Sequence, residues 1–209
     1  MTIAEFCNLH CACDEGREWA LSQCQTMQDV WDNAKPEWLI WIATRSGVLT
    51  DQELRLFGVG CARRVQHLMT DPRSVKAIKV AERYAHGLAT DEELDTAMTA
   101  ADAALKVAAW NTNWGAFNAA NAAACAATKS TKAATSFWDK SCAAIKSAKA
   151  EAMAAAMAAA MAADESGGDD APRDAALAEA KVKVLEAQAA WLRANTKPTF
   201  TRENCDFVR

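Results

Sequence analysis

Alternating β-branched stretches are almost missing from this chain, so a sheet has little to be built from and an all-helical fold is expected. Rings are scarce as well. Aromatics make up only 7% of the residues, and eight of them are tryptophan against a single tyrosine. That composition suits helices packed closely through alanine, with a few large anchors filling the gaps. No stretch has the length and hydrophobicity of a membrane span, the alanine run Ala150 to Ala163 being too short and too weakly apolar. The opening Met1-Thr2-Ile3-Ala4-Glu5 has neither a basic start nor an apolar run, so no signal peptide is expected. A net charge of −4 argues against a general binder of duplex nucleic acid, which would be basic overall. Enzyme signatures are missing too: no GxGxxG, no phosphate-cradling GxxxxGK[ST], no HExxH and no GxSxG. Only three histidines are present, His10, His67 and His86. His67 can be drawn with Cys61 or Asp71 as a nucleophile–base pair, but the spacing is ordinary for a helix and no oxyanion or metal partner accompanies it. No catalytic residue is assigned, and no cofactor.

Eight cysteines would allow four disulfides in a secreted protein. Cys61, Cys125 and Cys142, however, fall inside expected helices, where small buried thiols are ordinary. A cytoplasmic chain with mostly reduced thiols is the expectation.

What the chain does contain is helix punctuation. Thr50-Asp51-Gln52-Glu53-Leu54 and Thr90-Asp91-Glu92-Glu93-Leu94 are near-identical capping boxes, and Asp71-Pro72-Arg73-Ser74 is a third start between them. Before them, residues 2–33 read as two or three short helices, and Pro36 opens a compact Trp-bearing one that ends by Gly47. From Thr90 a long Ala-rich helix is expected to run past Ala120, with Trp110, Trp114 and Phe117 as anchors. A second covers about 130–163, where Met153, Met157 and Met161 form a stripe read as core packing or a helix–helix seam. A last helix spans roughly 171–195, its inner stripe Val182, Leu185, Ala189 and Leu192. The fold class is therefore all-α, a multi-helix bundle with two long Ala-rich helices and a C-terminal helix. Residues 1–163 form a helical core domain, 164–170 an acidic Gly-rich loop, and 171–209 a C-terminal helix and loosely packed tail on that core.

Two constellations carry chemistry. Residues 51–90 hold seven Lys or Arg against four Asp or Glu in an acidic chain. Arg63, Arg64 and His67 lie on one helix, Arg73, Lys76, Lys79, Arg83 and His86 on its antiparallel neighbour. Together with three helix starts they make a set able to grip a phosphate or an acidic protein surface, with Tyr84, Trp38 or Trp41 to stack on a base. The plainer reading pairs Arg63, Arg73 and Arg83 with Asp71, Glu82 and Glu53 to hold helix ends. The second constellation is Cys7-x-x-His10-Cys11-x-Cys13. Thiolate and imidazole suit zinc, yet the spacing is no paired CxxC knuckle and no four-ligand set is evident, so no metal ligand is assigned.

An ordered series of short motifs, Trp38-Leu39-Ile40-Trp41, Leu54-Arg55-Leu56-Phe57, Cys61-Ala62-Arg63-Arg64, Asp71-Pro72-Arg73-Ser74, Ala77-Ile78, Ala81-Glu82-Arg83-Tyr84-Ala85-His86-Gly87 and Glu93-Leu94, resembles an immunity-protein-like family of bacteria and phages over roughly residues 16–145. The resemblance implies an all-α fold and a place in microbial conflict, in the host cytoplasm for a phage-encoded member. It transfers no catalytic motif. The expected function is a non-enzymatic immunity or anti-defence protein that sequesters a protein effector or a small nucleotide signal, with Arg63, Arg64, His67, Arg73, Lys76, Arg83, Tyr84, Trp38 and Trp41 as ligand-binding residues. A helical scaffold that forms homo-oligomers through its long helices is the alternative, and a zinc-binding regulator a further one.

Overall fold

The computed structural model describes residues 1–110, 114–127, 137–164 and 170–201, with side-chain surroundings given except at 109–110, 114–116, 126–127, 137–143, 163–164 and 170–173. Among the described residues there are ten α-helices, one 3-10 turn and no strand: α1 Ile3–Leu9, α2 Asp14–Gln23, α3 Met27–Asn33, α4 Pro36–Ala43, α5 Asp51–Arg64, the 3-10 turn Gln66–Leu68, α6 Pro72–Ala85, α7 Asp91–Trp110, α8 Trp114–Ala127, α9 Phe137–Asp164 and α10 Asp170–Asn195. The fold is an all-α multi-helix bundle.

The helix starts are where the local chemistry puts them. Reciprocal capping boxes close α1 (Thr2 with Glu5), α3 (Thr26 with Asp29), α5 (Thr50 with Glu53) and α7 (Thr90 with Glu93), each satisfying two amides that the helix cannot. Asp71 caps α6 by accepting from the Arg73 amide at 2.8 Å, with Pro72 at the first helical position. Gly87 follows that helix at φ 71°, the left-handed geometry that a residue without Cβ adopts freely.

Burial divides into two clusters. The first gathers α1–α5 with the inner residues of α9 and α10 around large side chains: Phe6, Trp31, Leu39, Leu54 and Phe57 are all essentially inaccessible. The second joins α5 to α9 and is made mostly of alanine, with Ala77, Ala81, Ala101, Ala119, Ala122, Ala123 and Ala154 fully buried. Helices α5 and α9 serve both. Alanine lets helix backbones approach closely, and the structure uses that approach for polar contacts. The Ser147 hydroxyl of α9 donates to the Gly58 carbonyl of α5 at 2.9 Å. Gly60 faces Trp191 of α10, where a Cβ would lie 3.3 Å from the indole nitrogen. The two glycines of α5 thus admit α9 and α10.

The expectations for the long helices need correction. The helix begun at Thr90 does not continue past Ala120: α7 ends at Trp110 and α8 packs back against it. The intervening letters, Asn111-Thr112-Asn113, are poor helix formers whose side chains compete for backbone hydrogen bonds. Of the methionine stripe, Met153 and Met161 are exposed and Met157 is half-buried, while Ala154, Ala156 and Ala160 face inward, which leaves the seam and not the core of its two readings. Val182 is exposed; the inner row of α10 runs through Gln188, Ala189 and Leu192. Residues 197–200, just after α10, are held by hydrogen bonds to the core. The Thr199 amide donates to the Val48 carbonyl at 2.9 Å, the Lys197 amide to Glu53 Oε1 at 2.8 Å, and the N-terminal ammonium to the Phe200 carbonyl at 3.1 Å. The Ser166–Asp169 part of the Gly-rich loop, the tail from residue 202 and the side chains of Trp110, Trp114, Phe137 and Trp138 lie outside the described residues.

Candidate functional site

The basic residues and the tryptophans occupy different parts of the molecule. Helices α5 and α6 lie side by side, as their short connection requires, and bring Arg63 against Glu82 in an ion pair. Arg73 folds back on its own cap, with Nη2 2.7 Å from Asp71 Oδ2, and this hydrogen bond holds the Asp71 carboxyl below its ordinary value. Arg83 reaches the Leu88 carbonyl at 2.6 Å and Glu93 at 3.2 Å. Helix-end pairing is therefore what three of these arginines do, with Glu93 rather than Glu53 as the partner of Arg83. Tyr84 is likewise engaged. Its hydroxyl donates to Asp91 at 3.0 Å, and the Arg55 guanidinium lies 4.9 Å from the ring centroid. Lys76 stays exposed on the outer face of α6, beside Lys79, Arg83 and His86.

Arg64 differs from the rest. It grips both oxygens of Glu151, a carboxylate 1% exposed in the middle of α9, with Nη2 2.8 Å from Oε2. Gln188 of α10 donates to the same oxygen at 2.8 Å and to the Ala148 carbonyl at 3.0 Å. Burial works against the Arg64 charge, but the hydrogen bond and charge of Glu151 outweigh it and the guanidinium is held more firmly protonated. Cys61, 3.5 Å from Arg64 Nη2, is pushed well up by burial and then by the Glu151 charge, so it stays a thiol. Above this network opens a cleft of about 300 Å³ where Arg64, His67 and Lys183 meet walls of alanine and valine. Two of the expected ligand-binding residues, Arg64 and His67, share it. Lys183 is paired with Glu179 at 2.6 Å, and no aromatic ring lines the cleft.

Trp38 and Trp41 sit on α4 in the first cluster, while Tyr84 packs against the second. The structure does not gather the two indoles with Tyr84, which has only Arg55 of α5 over its ring. Instead α1–α4 enclose a cleft of about 390 Å³, apolar over nearly all its lining, between Phe6, Trp19, Met27, Trp38 and Trp41. Trp38 stacks obliquely on Trp19 with centroids 5.3 Å apart and carries the Lys35 ammonium 3.9 Å above its ring. Trp41 meets the edge of Phe6 at 6.2 Å and the Arg45 guanidinium at 4.8 Å. Such cation–ring contacts hold an indole in one orientation. Glu37 is the single charged residue on the lining.

The cysteine-rich start contributes to this second cleft. His10 stacks on Phe6, centroids 4.5 Å apart, and its Nε2 is buried without a hydrogen-bond partner. Burial and then the Arg45 charge push its pKa down to about 4, so the ring is neutral near pH 7. Among the described residues, no group of three or more His, Cys, Asp or Glu is placed to hold a metal ion.

Sequence reading missed Glu151, Gln188 and Trp19. A lone Glu and a lone Gln inside alanine runs were the signal for the first two, because a charged or amide side chain in such a helix either faces water or has a buried partner. Trp19 carries no local signal, since its partner Trp38 lies on another helix.

No helix among the described residues is long and apolar enough to cross a membrane. The molecule is an all-helical bundle with an alanine-packed and a tryptophan-rich part. No family model, curated protein or solved structure matches the chain.

Proposed function

We propose that the protein is a non-enzymatic binding protein of the immunity or anti-defence kind, acting in the cytoplasm, which neutralises a protein effector by seating an apolar side chain of it in the cleft between α1–α4. The supporting observation is that cleft: about 390 Å³ walled by three indoles, with a rigid aromatic frame and a single charged residue on its lining. Tight protein interfaces centre on large apolar anchors in desolvated pockets. Capture of a nucleotide signal draws less support, because it needs a stacking ring beside free cations. Trp38 and Trp41 are remote from the cations of α6, Tyr84 is held by Asp91, and the cleft at Arg64 has no ring. The motif resemblance over residues 16–145 points to microbial conflict as the setting.

A neutralisation assay tests the proposal. The full chain is co-expressed with a panel of toxins and host-defence effectors, and cell survival is read. Ala12→Trp fills the cleft from its lining. The variant is expected to keep its helix content and to lose about 30-fold or more of its affinity for the neutralised effector, as for a hot-spot pocket. Undiminished protection by a folded, filled variant refutes the reading. So does tight binding of a nucleotide that tracks with Arg64 and His67.

One observation favours an assembly as a second reading. Met153 and Met161 lie eight residues apart on α9 and are both exposed, as apolar groups are at a helix seam between subunits. Light scattering across a concentration series decides this; a monomer at every concentration excludes it.

A further inference from the structure

Three cysteines line the same cleft as the tryptophans. Cys7 comes from α1 and is buried; Cys11 and Cys13 follow in the α1–α2 connection and are exposed. Local backbone chemistry delivers them there. The Ala12 amide donates to the Cys7 carbonyl at 3.0 Å, and the chain reverses through Cys11 at φ 52°. That is the position after a helix end where glycine is at ease and an L side chain is strained. No other non-glycine residue among those described has a positive φ. A thiol is thus held at the lip of the cleft where glycine would be the easier choice. Cys13 and Trp38 flank Gly16 on the lining: a Cβ on Gly16 would lie 3.2 Å from the sulfur and 3.5 Å from the Trp38 ring.

We propose that Cys11 and Cys13 form a covalent capture site for acyl thioesters with an apolar chain, the chain lying in the Trp-lined cleft. The cysteine sulfur, as thiolate, attacks the thioester carbonyl carbon. A new sulfur–carbon bond forms at the protein, the bond to the leaving thiol breaks, and the leaving sulfur takes the bonding pair and then a proton equal to the one the cysteine released. No oxidant, reductant or metal enters. Selectivity comes from the lining. Apolar walls hold the chain while the acyl carbon waits at the lip, and holding the reactants together replaces an unfavourable encounter in water. Cys7 lies deeper, and burial pushes its thiol up, which makes it the poorer nucleophile of the three. Cys24, half-buried and off the lining, serves as the internal control. The inference stands apart from the neutralisation reading, since it concerns what reacts in the cleft with no partner present. An acylated cleft would be closed to a partner's side chain.

The test uses the full reduced chain with acetyl, butyryl, hexanoyl and octanoyl thioesters of one small thiol, each below its aggregation concentration. Labelling is followed by intact mass and mapped by peptide. The rate at Cys11 and Cys13 is expected to rise about fourfold per added methylene until the chain fills the cleft, from the transfer of each methylene out of water. The rate at Cys24 is expected to stay flat, and the adducts to be released by hydroxylamine. Gly16→Leu, which places a branched chain between Cys13 and Trp38, should abolish the chain-length dependence at both cysteines. If that variant loses helix content, Ala12→Leu takes its place. A flat dependence at both Cys11 and Cys13, or an equal slope at Cys24, overturns the proposal.

Discussion

The two halves of the core solve the same packing problem with opposite materials. Around α1–α4 the interior is built of tryptophan, phenylalanine, leucine and isoleucine, and a cleft remains between them. From α6 to α9 it is built of alanine, and the helices close on one another. Large, rigid rings interlock at few points and leave irregular space, whereas methyl groups let backbones come together. The alanine half has a different difficulty. Interchangeable methyls give a helix little reason to prefer one register over the next. The buried row Ser147, Glu151 and its partners Gly58, Arg64 and Gln188 supplies the missing specificity, because each misplaced register leaves a polar group unpaired.

The largest effect is therefore expected at Glu151. Glu151→Ala leaves Arg64 half-buried without its anion and Gln188 without its acceptor, and should cost about 3 kcal/mol, the lower end for a broken buried pair because Arg64 keeps some contact with water. Replacing both members, Arg64→Met with Glu151→Leu, should recover most of that loss while broadening the unfolding transition. Urea denaturation of the three variants is the measurement. A loss below about 1 kcal/mol for Glu151→Ala would remove the network as the register device.

A second comparison sets the halves directly against each other. Ala122→Leu inserts volume where α8 meets its neighbours and no space exists, and should destabilise by about 2 kcal/mol. Ala12→Leu adds the same volume on the lining of the open cleft, and should stay within about 0.5 kcal/mol of the parent. Equal costs would mean that the cleft is as tightly packed as the alanine half. A smaller effect belongs to the join between them. Thr50 caps α5, the helix both clusters share, and Thr50→Ala should cost about 1 kcal/mol through the lost cap.

These contrasts also explain what could be read from letters alone. Caps are legible because they are local: Thr50, Asp71 and Thr90 each act within a few residues of themselves. The faces of the alanine helices were not. With alanine on every side, periodicity loses its contrast, so letters place Val182 inward and leave Met153 between core and seam, whereas Ser147, Glu151 and Gln188 mark the inner face. The expected ligand-binding set mixed two regions for a related reason. Arg64 finds Glu151 87 residues away, and Trp38 finds Trp19 in a different cluster from Tyr84. Pairing over such separations follows from the packing of whole helices, which no short motif encodes.

The smallest effect is confined to the aromatic half and depends on pH. His10 has a folded pKa of about 4 against an ordinary 6.5, lowered by burial and by Arg45. Between those values the unfolded chain binds a proton that the folded chain does not, so acidification through that window favours unfolding. Above pH 6.5 the contribution is constant, and below about 4 both states carry the charge and it stops growing. The imidazole is only half-buried, so solvent screening should keep the total below about 1 kcal/mol. Carboxyls held low by their caps, such as Asp29 and Glu93, also lose their contribution at acid pH. They are unchanged in a His10→Phe variant and cancel in the difference. The difference in unfolding free energy between parent and His10→Phe should therefore slope from pH 6.5 to 4 and be level above it. A level difference throughout would mean that the ring beside Phe6 meets water freely, and that the aromatic half is open further down than its cleft.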